Sequence, residues 1–238
     1  MPDTLIEPSS SHLPNPVQRW LRLTGAMDKP LIQSGHITQE AEMRLKPGQT
    51  QWLKATAVQF TNIDEPGFIW KAKVRLNPLV FFTGRDTFMD GKAQMQIKLL
   101  SLVYMVNARG EKLNEAALQR FLAEMMWFPS LALSPFITWE PIDEHTAKAT
   151  MSYKGTTGSG TFYFKPDGEV TRFSAMRYKD HDANARRYEW VVDILAHKSF
   201  QGISVPSKLT LTWKLDNMNW TWMKMEVTDI RYNDTPEA

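Results

Sequence analysis

Hydrophobic and polar residues alternate along most of this chain, which is the pattern of strands that have one buried and one exposed face. The clearest case is Gly67–Leu76, where apolar side chains alternate with three basic ones. About ten such segments occur, and turn residues separate them, which predicts an antiparallel sheet built of hairpins. In Trp52–Thr61 the same period predicts an apolar face made of Trp52, Thr56, Val58 and Phe60.

One segment, Asn114–Leu133, has the period of a helix instead. We predict that this helix begins with Asn114 as its N-cap and ends at Phe128, because Pro129 disfavours helical geometry in the residue before it. A long apolar face needs a large apolar partner, which the strands on both sides supply. The face comprises Leu118, Phe121, Leu122, Met125, Met126 and Phe128.

The fold class predicted is therefore α+β: a large curved antiparallel sheet, or half-barrel, wrapped around a central helix. A short helix precedes the sheet, with Pro16 at its first position and Gly25 as its stop signal. We expect residues 1–12 to form a mobile arm, residues 13–232 a single domain and residues 233–238 a polar tail.

Composition removes several classes of function. The chain has no Cys, so disulfides, thiolate catalysis and Cys-ligated metals are excluded. Its net charge of +2 gives no reason to expect nucleic acid as a partner. There is no apolar run of about 18 residues, so we expect no transmembrane helix. The N-terminus lacks the pattern of a secretory signal, which predicts a cytoplasmic protein, or a periplasmic one only if a signal was removed.

Aromatic and methionine side chains are abundant, with 9 Trp, 12 Phe and 13 Met. Flat aromatic walls and adaptable Met side chains suit a cavity for a flexible apolar ligand, although the same residues also fill ordinary cores. The candidate lining residues are Trp70, Met95, Met125, Trp127 and Trp190.

Two carboxylates are candidates for catalysis. Glu124 lies at the edge of the apolar helix face, where a half-buried carboxylate needs a partner, and Arg85 or Lys71 could supply one. A desolvated Glu can act as a general base, but an ion pair that fixes the helix on the sheet explains the position equally well. Asp86 is the weaker candidate, beside Arg85 in the Gly84–Gly91 segment. The histidines have no metal-ligand spacing, so we expect neither metal nor cofactor.

Five short segments are spread over nearly the whole chain. They are LPNPVQRW at 13–20, GFIWKA at 67–72, GRD at 84–86 with DG at 90–91, EMMWFP at 124–129, and VPS at 205–207 followed by Trp213. Together they resemble a bacterial family described only as a domain of unknown function. The predicted architecture also resembles the lipoprotein-carrier (LolA/LolB-like) fold, in which a curved antiparallel sheet holds helices in its concave face. That resemblance implies an acyl-chain ligand and a role outside the cytoplasm.

Three functions stay open from the sequence. The first is non-enzymatic binding of an apolar or amphipathic, lipid-like molecule between sheet and helix, with Arg85 and Glu124 orienting a polar head group. The second is an enzyme acting on a small amphipathic substrate, with Glu124 or Asp86 as general base. The third is a structural or interaction protein that presents Trp220 and Trp222 to a partner. The oligomeric state is not predicted.

Overall fold

The protein is described by a computed structural model that covers residues 10–27 and 29–234. Thirteen strands form one continuous antiparallel sheet in these residues. The strands are β1 Ser34–Met43, β2 Leu53–Asn62, β3 Gly67–Arg75, β4 Phe81–Met89, β5 Lys92–Leu99, β6 Val103–Ala108, β7 Ile137–Asp143, β8 Thr146–Tyr153, β9 Thr156–Phe164, β10 Val170–Tyr178, β11 Arg187–Phe200, β12 Ile203–Leu215 and β13 Met218–Tyr232.

The order of the strands shows how the two halves of the chain meet. Strands β1 to β6 lie side by side in chain order, strands β7 to β13 do the same, and pairing of β1 with β13 joins the two series. Strands β6 and β7 are therefore the two edges of the sheet. The chain between these edges contains the helix α2, Glu111–Ala123, which packs against β4 and β5 on one side and against β8, β9 and β10 on the other.

This arrangement confirms the predicted curved antiparallel half-barrel around a helix, with 13 strands rather than about ten. The further strands are β4, β6 and β7. Asp90 and Gly91 form the hairpin turn between β4 and β5, with φ of 52° and 72°.

The prediction for the start of the central helix was wrong. Helix α2 begins four residues earlier than expected: its first residue is Glu111, and its N-cap is Gly110, with φ 133°, instead of Asn114. Asn114 lies in the first turn, and its Oδ1 accepts a hydrogen bond from the backbone N–H of Ala93 in β5 at 2.7 Å. The α-helical part ends at Ala123, and the chain continues as 3₁₀ turns at Glu124–Trp127 and Pro129–Leu133.

Helix α1, Asn15–Leu23, carries Pro16 in its first turn, and Gly25 follows it with φ 72°. Its buried side includes Val17, Trp20 and Leu21. Residues 1–9 of the expected N-terminal arm and residues 235–238 of the expected tail lie outside the described residues.

Strand β2 buries the face opposite to the one predicted. Leu53, Ala55, Ala57, Gln59 and Thr61 point toward the helix side, whereas Val58 is 52% exposed on the outside. This face carries polar residues because Gln59 accepts a hydrogen bond from Arg120 of α2, and Thr61 in turn accepts one from Gln59, so both are satisfied although they are buried.

Candidate functional site

A buried polar network connects α2 to the concave face of the sheet, and Arg120 of α2 is its centre. Its Nε donates to Glu124 Oε1 at 2.7 Å, its Nη1 to Asp86 Oδ2 at 3.1 Å, and its Nη2 to Gln59 Oε1 at 2.8 Å. The guanidinium therefore binds one group on the helix side and one group on each of the strands β2 and β4.

Gln59 completes this network from the sheet. Its Nε2 donates to Glu124 Oε2 at 2.6 Å and to Thr61 Oγ1 at 2.9 Å. Both oxygens of Glu124, a residue only 7% exposed, thus accept hydrogen bonds. The partners of Glu124 are Arg120 and Gln59, and the expected partners Arg85 and Lys71 lie on the other face of the sheet.

Burial raises the pKa of the Asp86 carboxyl above its usual value of 3.8, although the positive charges of Arg120 and Arg177 oppose this shift. A carboxyl whose pKa is higher in the folded than in the unfolded protein binds more protons when folded. Its contribution to stability is therefore present at low pH and is lost as the pH rises through the folded-state pKa.

We expect Asp86→Asn to remove this pH dependence. The free energy of unfolding of the wild type should fall relative to that of Asp86→Asn as the pH rises from about 4 toward 7, because only the wild type must ionise a desolvated carboxyl. Urea unfolding at several pH values measures this difference. Asp90→Asn, in the exposed β4–β5 turn, is the control, and parallel stability curves for wild type and Asp86→Asn would contradict the expectation.

A second arginine, Arg177 of β10, lies on the same concave face. Its Nε donates to the carbonyl oxygen of Ala116 in α2 at 2.9 Å. Its guanidinium carbon lies 4.7 Å from the ring centre of Trp190 and 5.6 Å from that of Trp213. Burial, and secondarily the charge of Arg120, lowers the pKa of Arg177 to about 10, so this side chain is still cationic at neutral pH.

A row of small residues runs beside the polar network. Three small residues are neighbours across β2, β3 and β4, namely Ala57, Ala72 and Gly84. Each lies two residues along its strand from a member of the adjacent row of Gln59, Trp70 and Asp86. No side chain in this row extends beyond Cβ, and the Trp70 ring lies 3.4 Å from the position that a Cβ on Gly84 would occupy. Large apolar side chains such as Phe88 and Phe121 fill the space beneath α2.

Beyond the helix, the concave face keeps apolar side chains in partial contact with solvent. We refer to this part of the sheet, together with the small-residue row, as the open concave face. The half-buried apolar side chains of the open concave face are Leu76, Phe82, Ile97, Leu99, Tyr188 and Leu215. They lie on the face that carries Trp70, Asp86, Trp190 and Trp213, as the strand pairing shows.

The candidate residues predicted from the sequence fall into different places. Trp70 and Trp190 are buried on the concave face, and Trp70 donates its indole N–H to Gln39. Met125 and Trp127 are buried in the 3₁₀ turn after α2, where Trp127 donates to the carbonyl oxygen of Pro206. Met95 is half-buried, opposite Asp86 on β5.

Arg85 lies on the outer face, so the structure does not bring it together with Glu124. It lines a shallow outer groove of about 630 Å³ with Lys71, Lys73 and Lys98. Arg85 and Lys71 are direct neighbours across β3 and β4, an arrangement of like charges that disfavours the sheet slightly.

Sequence reasoning missed Arg120, Arg177 and Gln59. Arg120 precedes Glu124 by four residues, and this spacing places oppositely charged side chains together on a helix. Arg177 follows Phe173 and Ala175 at the two-residue spacing of a strand, so the sequence showed a charged residue in a series of apolar ones. Gln59 carried no comparable signal.

Across residues 10–27 and 29–234, no three His, Asp or Glu side chains lie close enough together to hold a metal ion. Within the same part of the chain, no helix combines the length and hydrophobicity of a membrane span.

The fold and the concave site together define a half-barrel whose open face is partly covered by a helix. The model of a family described as a family of unknown function, DUF6544, matches residues 3–225, and the chain belongs to this family. This confirms the resemblance to an uncharacterised family that the five sequence segments indicated. No curated protein matches the chain significantly.

Two solved structures are similar to this chain at very low sequence identity. A LolA superfamily protein from Nitrosomonas europaea is 9% identical, with 92% of this chain and 94% of that chain covered and a TM-score of 0.49. A beta-barrel-like protein of the domain of unknown function DUF1849, from Brucella abortus, is 8% identical, with 86% and 99% covered and a TM-score of 0.31. The fold class itself rests on the strand pairing of this chain.

Proposed function

We propose that this protein binds an amphipathic, lipid-like small molecule on the open concave face and performs no catalysis on it. The observation that carries this proposal is the combination of half-buried apolar side chains with the small-residue row, directly beside a polar network. Binding an apolar chain removes such a surface from water, which is favourable by about 25 cal/mol for each Å² buried. Ligand sites in proteins commonly have this composition, with few polar groups among apolar walls.

The contacts of Glu124 favour binding over catalysis. A general base needs a free oxygen that points at the proton it removes. Both Glu124 oxygens already accept short hydrogen bonds from Arg120 and Gln59, so Glu124 supports the ion pair that fixes the helix on the sheet.

The positions of Trp220 and Trp222 give little support to the alternative that this is a structural or interaction protein. Trp220, expected to meet a partner, is buried at 9% exposure on the concave side opposite Trp213. Trp222 is half-buried.

The test uses N-phenyl-1-naphthylamine, an uncharged dye whose fluorescence rises in apolar surroundings. We expect the wild-type protein to bind it and Ala72→Trp to weaken binding at least about tenfold, which corresponds to about 1.4 kcal/mol, because the indole fills the small-residue row. Lys73→Trp places the same side chain on the outer face of the same strand and is the matched control.

Failure of the wild-type protein to bind the dye would contradict the proposal, as would unchanged binding by Ala72→Trp. Gly84→Leu blocks the same row from β4 and provides an independent obstruction. Circular dichroism and urea unfolding of each variant separate loss of binding from loss of the fold.

A further inference from the structure

We infer that the ligand of the open concave face carries an anionic head group and that Arg177 is its anchor. This inference rests on the proposed function and names the class of ligand: an apolar chain that ends in a carboxylate or a phosphate. The argument begins with the hydrogen-bond partners of the two arginines on the concave face.

Arg120 and Arg177 differ in their direct contacts with carboxylates. Arg120 contacts both carboxylates of the site, those of Asp86 and Glu124. Arg177 uses only its Nε, on the carbonyl oxygen of Ala116. Among the residues that the structure describes, none offers an acceptor to the terminal Nη groups of Arg177. Asp86 and Glu124 act on the charge of Arg177 without a direct contact, so the terminal Nη groups of this half-buried guanidinium remain donors that a bound anion can use.

The surroundings of Arg177 add further hydrogen-bond donors. The indole N–H groups of Trp190 and Trp220 are buried and have no partner in the described part of the chain. Trp190 packs against the guanidinium of Arg177, and Trp220 lies opposite Trp213, which packs against the same guanidinium. Lys179 places its ammonium 5.7 Å from the Trp220 ring centre. Lys179 itself pairs with Asp180 at 3.2 Å, so the groups that match an oxygen-rich anion are the guanidinium of Arg177 and the two unpartnered indole N–H groups.

The position of Arg177 also fits a ligand with a head and a chain. Two tryptophans, Trp190 and Trp213, pack against its guanidinium. The half-buried Tyr188 and Leu215 of the open concave face lie next to them on the same two strands. Planar guanidinium groups bind both carboxylates and phosphates through paired hydrogen bonds, so these two head groups share the required chemistry. Asp86 and Glu124 carry two formal negative charges against the single charge of Arg120, but both carboxylates make their direct ion pairs with Arg120, which leaves the terminal Nη groups of Arg177 open to an anion.

The experiment compares three molecules with the same twelve-carbon chain: dodecanoate, dodecyl phosphate and dodecanol. Each is titrated against the wild-type protein carrying N-phenyl-1-naphthylamine, and displacement of the dye reports its affinity. We expect at least one anion to bind about 10- to 100-fold more tightly than dodecanol, the range that a hydrogen bond to a charged group supplies. The stronger of the two anions identifies the head group as carboxylate or phosphate.

Arg177→Gln should abolish the preference for the anion while leaving the affinity for dodecanol within about twofold, since only the charge is removed. Arg177→Lys should restore part of the preference. The matched control is Arg172→Gln, which removes an exposed arginine that pairs with Asp193 on the outer side of the same strand.

The outcomes separate the two proposals. If the wild-type protein binds neither the dye nor any of the three molecules, the proposed function is wrong. If it binds all three equally, the proposed function stands and the anionic head group is wrong. If Arg177→Gln keeps the preference for the anion, another group is the anchor and the role of Arg177 is wrong.

Discussion

Replacing Arg120 with Met is expected to lower the free energy of unfolding by about 3–5 kcal/mol, because the change leaves two carboxylates in a low-dielectric site without their cation. Arg120 joins Glu124 at 2.7 Å and Asp86 at 3.1 Å, and its side chain is only 17% exposed. Methionine retains most of the apolar volume, so the loss reports the ion pairs rather than a cavity. Urea unfolding at neutral pH measures the effect.

The control for Arg120→Met is Arg172→Met. Arg172 forms a comparably short pair with Asp193 at 2.6 Å, but at 47% exposure it lies in water. We expect the control to cost no more than about 1 kcal/mol. The triple variant Arg120→Met, Asp86→Asn, Glu124→Gln should recover a substantial part of the lost stability, since it removes the unpaired charges as well. A loss near 1 kcal/mol for Arg120→Met alone would mean that water already solvates the two carboxylates.

The parts of the fold that the sequence predicted are those in which one strand face is consistently apolar. Strand β3 shows this clean alternation, and the structure buries the apolar face predicted for it. Strand β4 was not recognised because its concave face carries Gly84 and Asp86, a gap and a charge in the apolar series. These two residues belong to the site, so residues that form the site interrupt the apolar alternation from which a strand is predicted.

The other two missed strands are the edges of the sheet. Strand β6 exposes most of its side chains, and β7 contains Pro141, which an edge strand tolerates because it does not need every N–H for pairing. Periodicity measures burial of one face, and an edge strand with little burial gives a weak signal.

The candidate site was only partly predictable for a geometric reason. Helical period predicted Glu124 at the edge of a buried helix face; the structure places it in the 3₁₀ turn that follows α2, at 7% exposure. Its partner depended on which side of β3 and β4 faces the helix. The alternation in β3 already assigns Lys71 to the exposed face. The inward face of β4 carries Gly84 and Asp86 instead of an apolar series, so its pattern did not assign Arg85 to the outer face.

Replacing Phe121 with Ala is expected to lower the free energy of unfolding by about 3–5 kcal/mol, the range observed for large apolar side chains removed from well-packed cores. Phe121 is fully buried on α2, and its ring centre lies 6.3 Å from that of Phe88 on β4. Few neighbouring groups can relax into the space, because strands flank the helix on both sides. Urea unfolding gives the magnitude, and Leu195→Ala, at a site 66% exposed, should change it by less than about 0.5 kcal/mol.

The size of the Phe121→Ala effect also decides how α2 behaves during binding. A full loss means that the helix is a fixed part of the core, so a ligand must enter through the open concave face beyond it. A loss below about 1 kcal/mol would contradict the expectation and would mean that α2 packs loosely enough to move. In that case the space beneath the helix, and not only the open concave face, would be available to an apolar chain. The affinity for N-phenyl-1-naphthylamine distinguishes these cases, because it should rise in Phe121→Ala only if the new space is open to ligand.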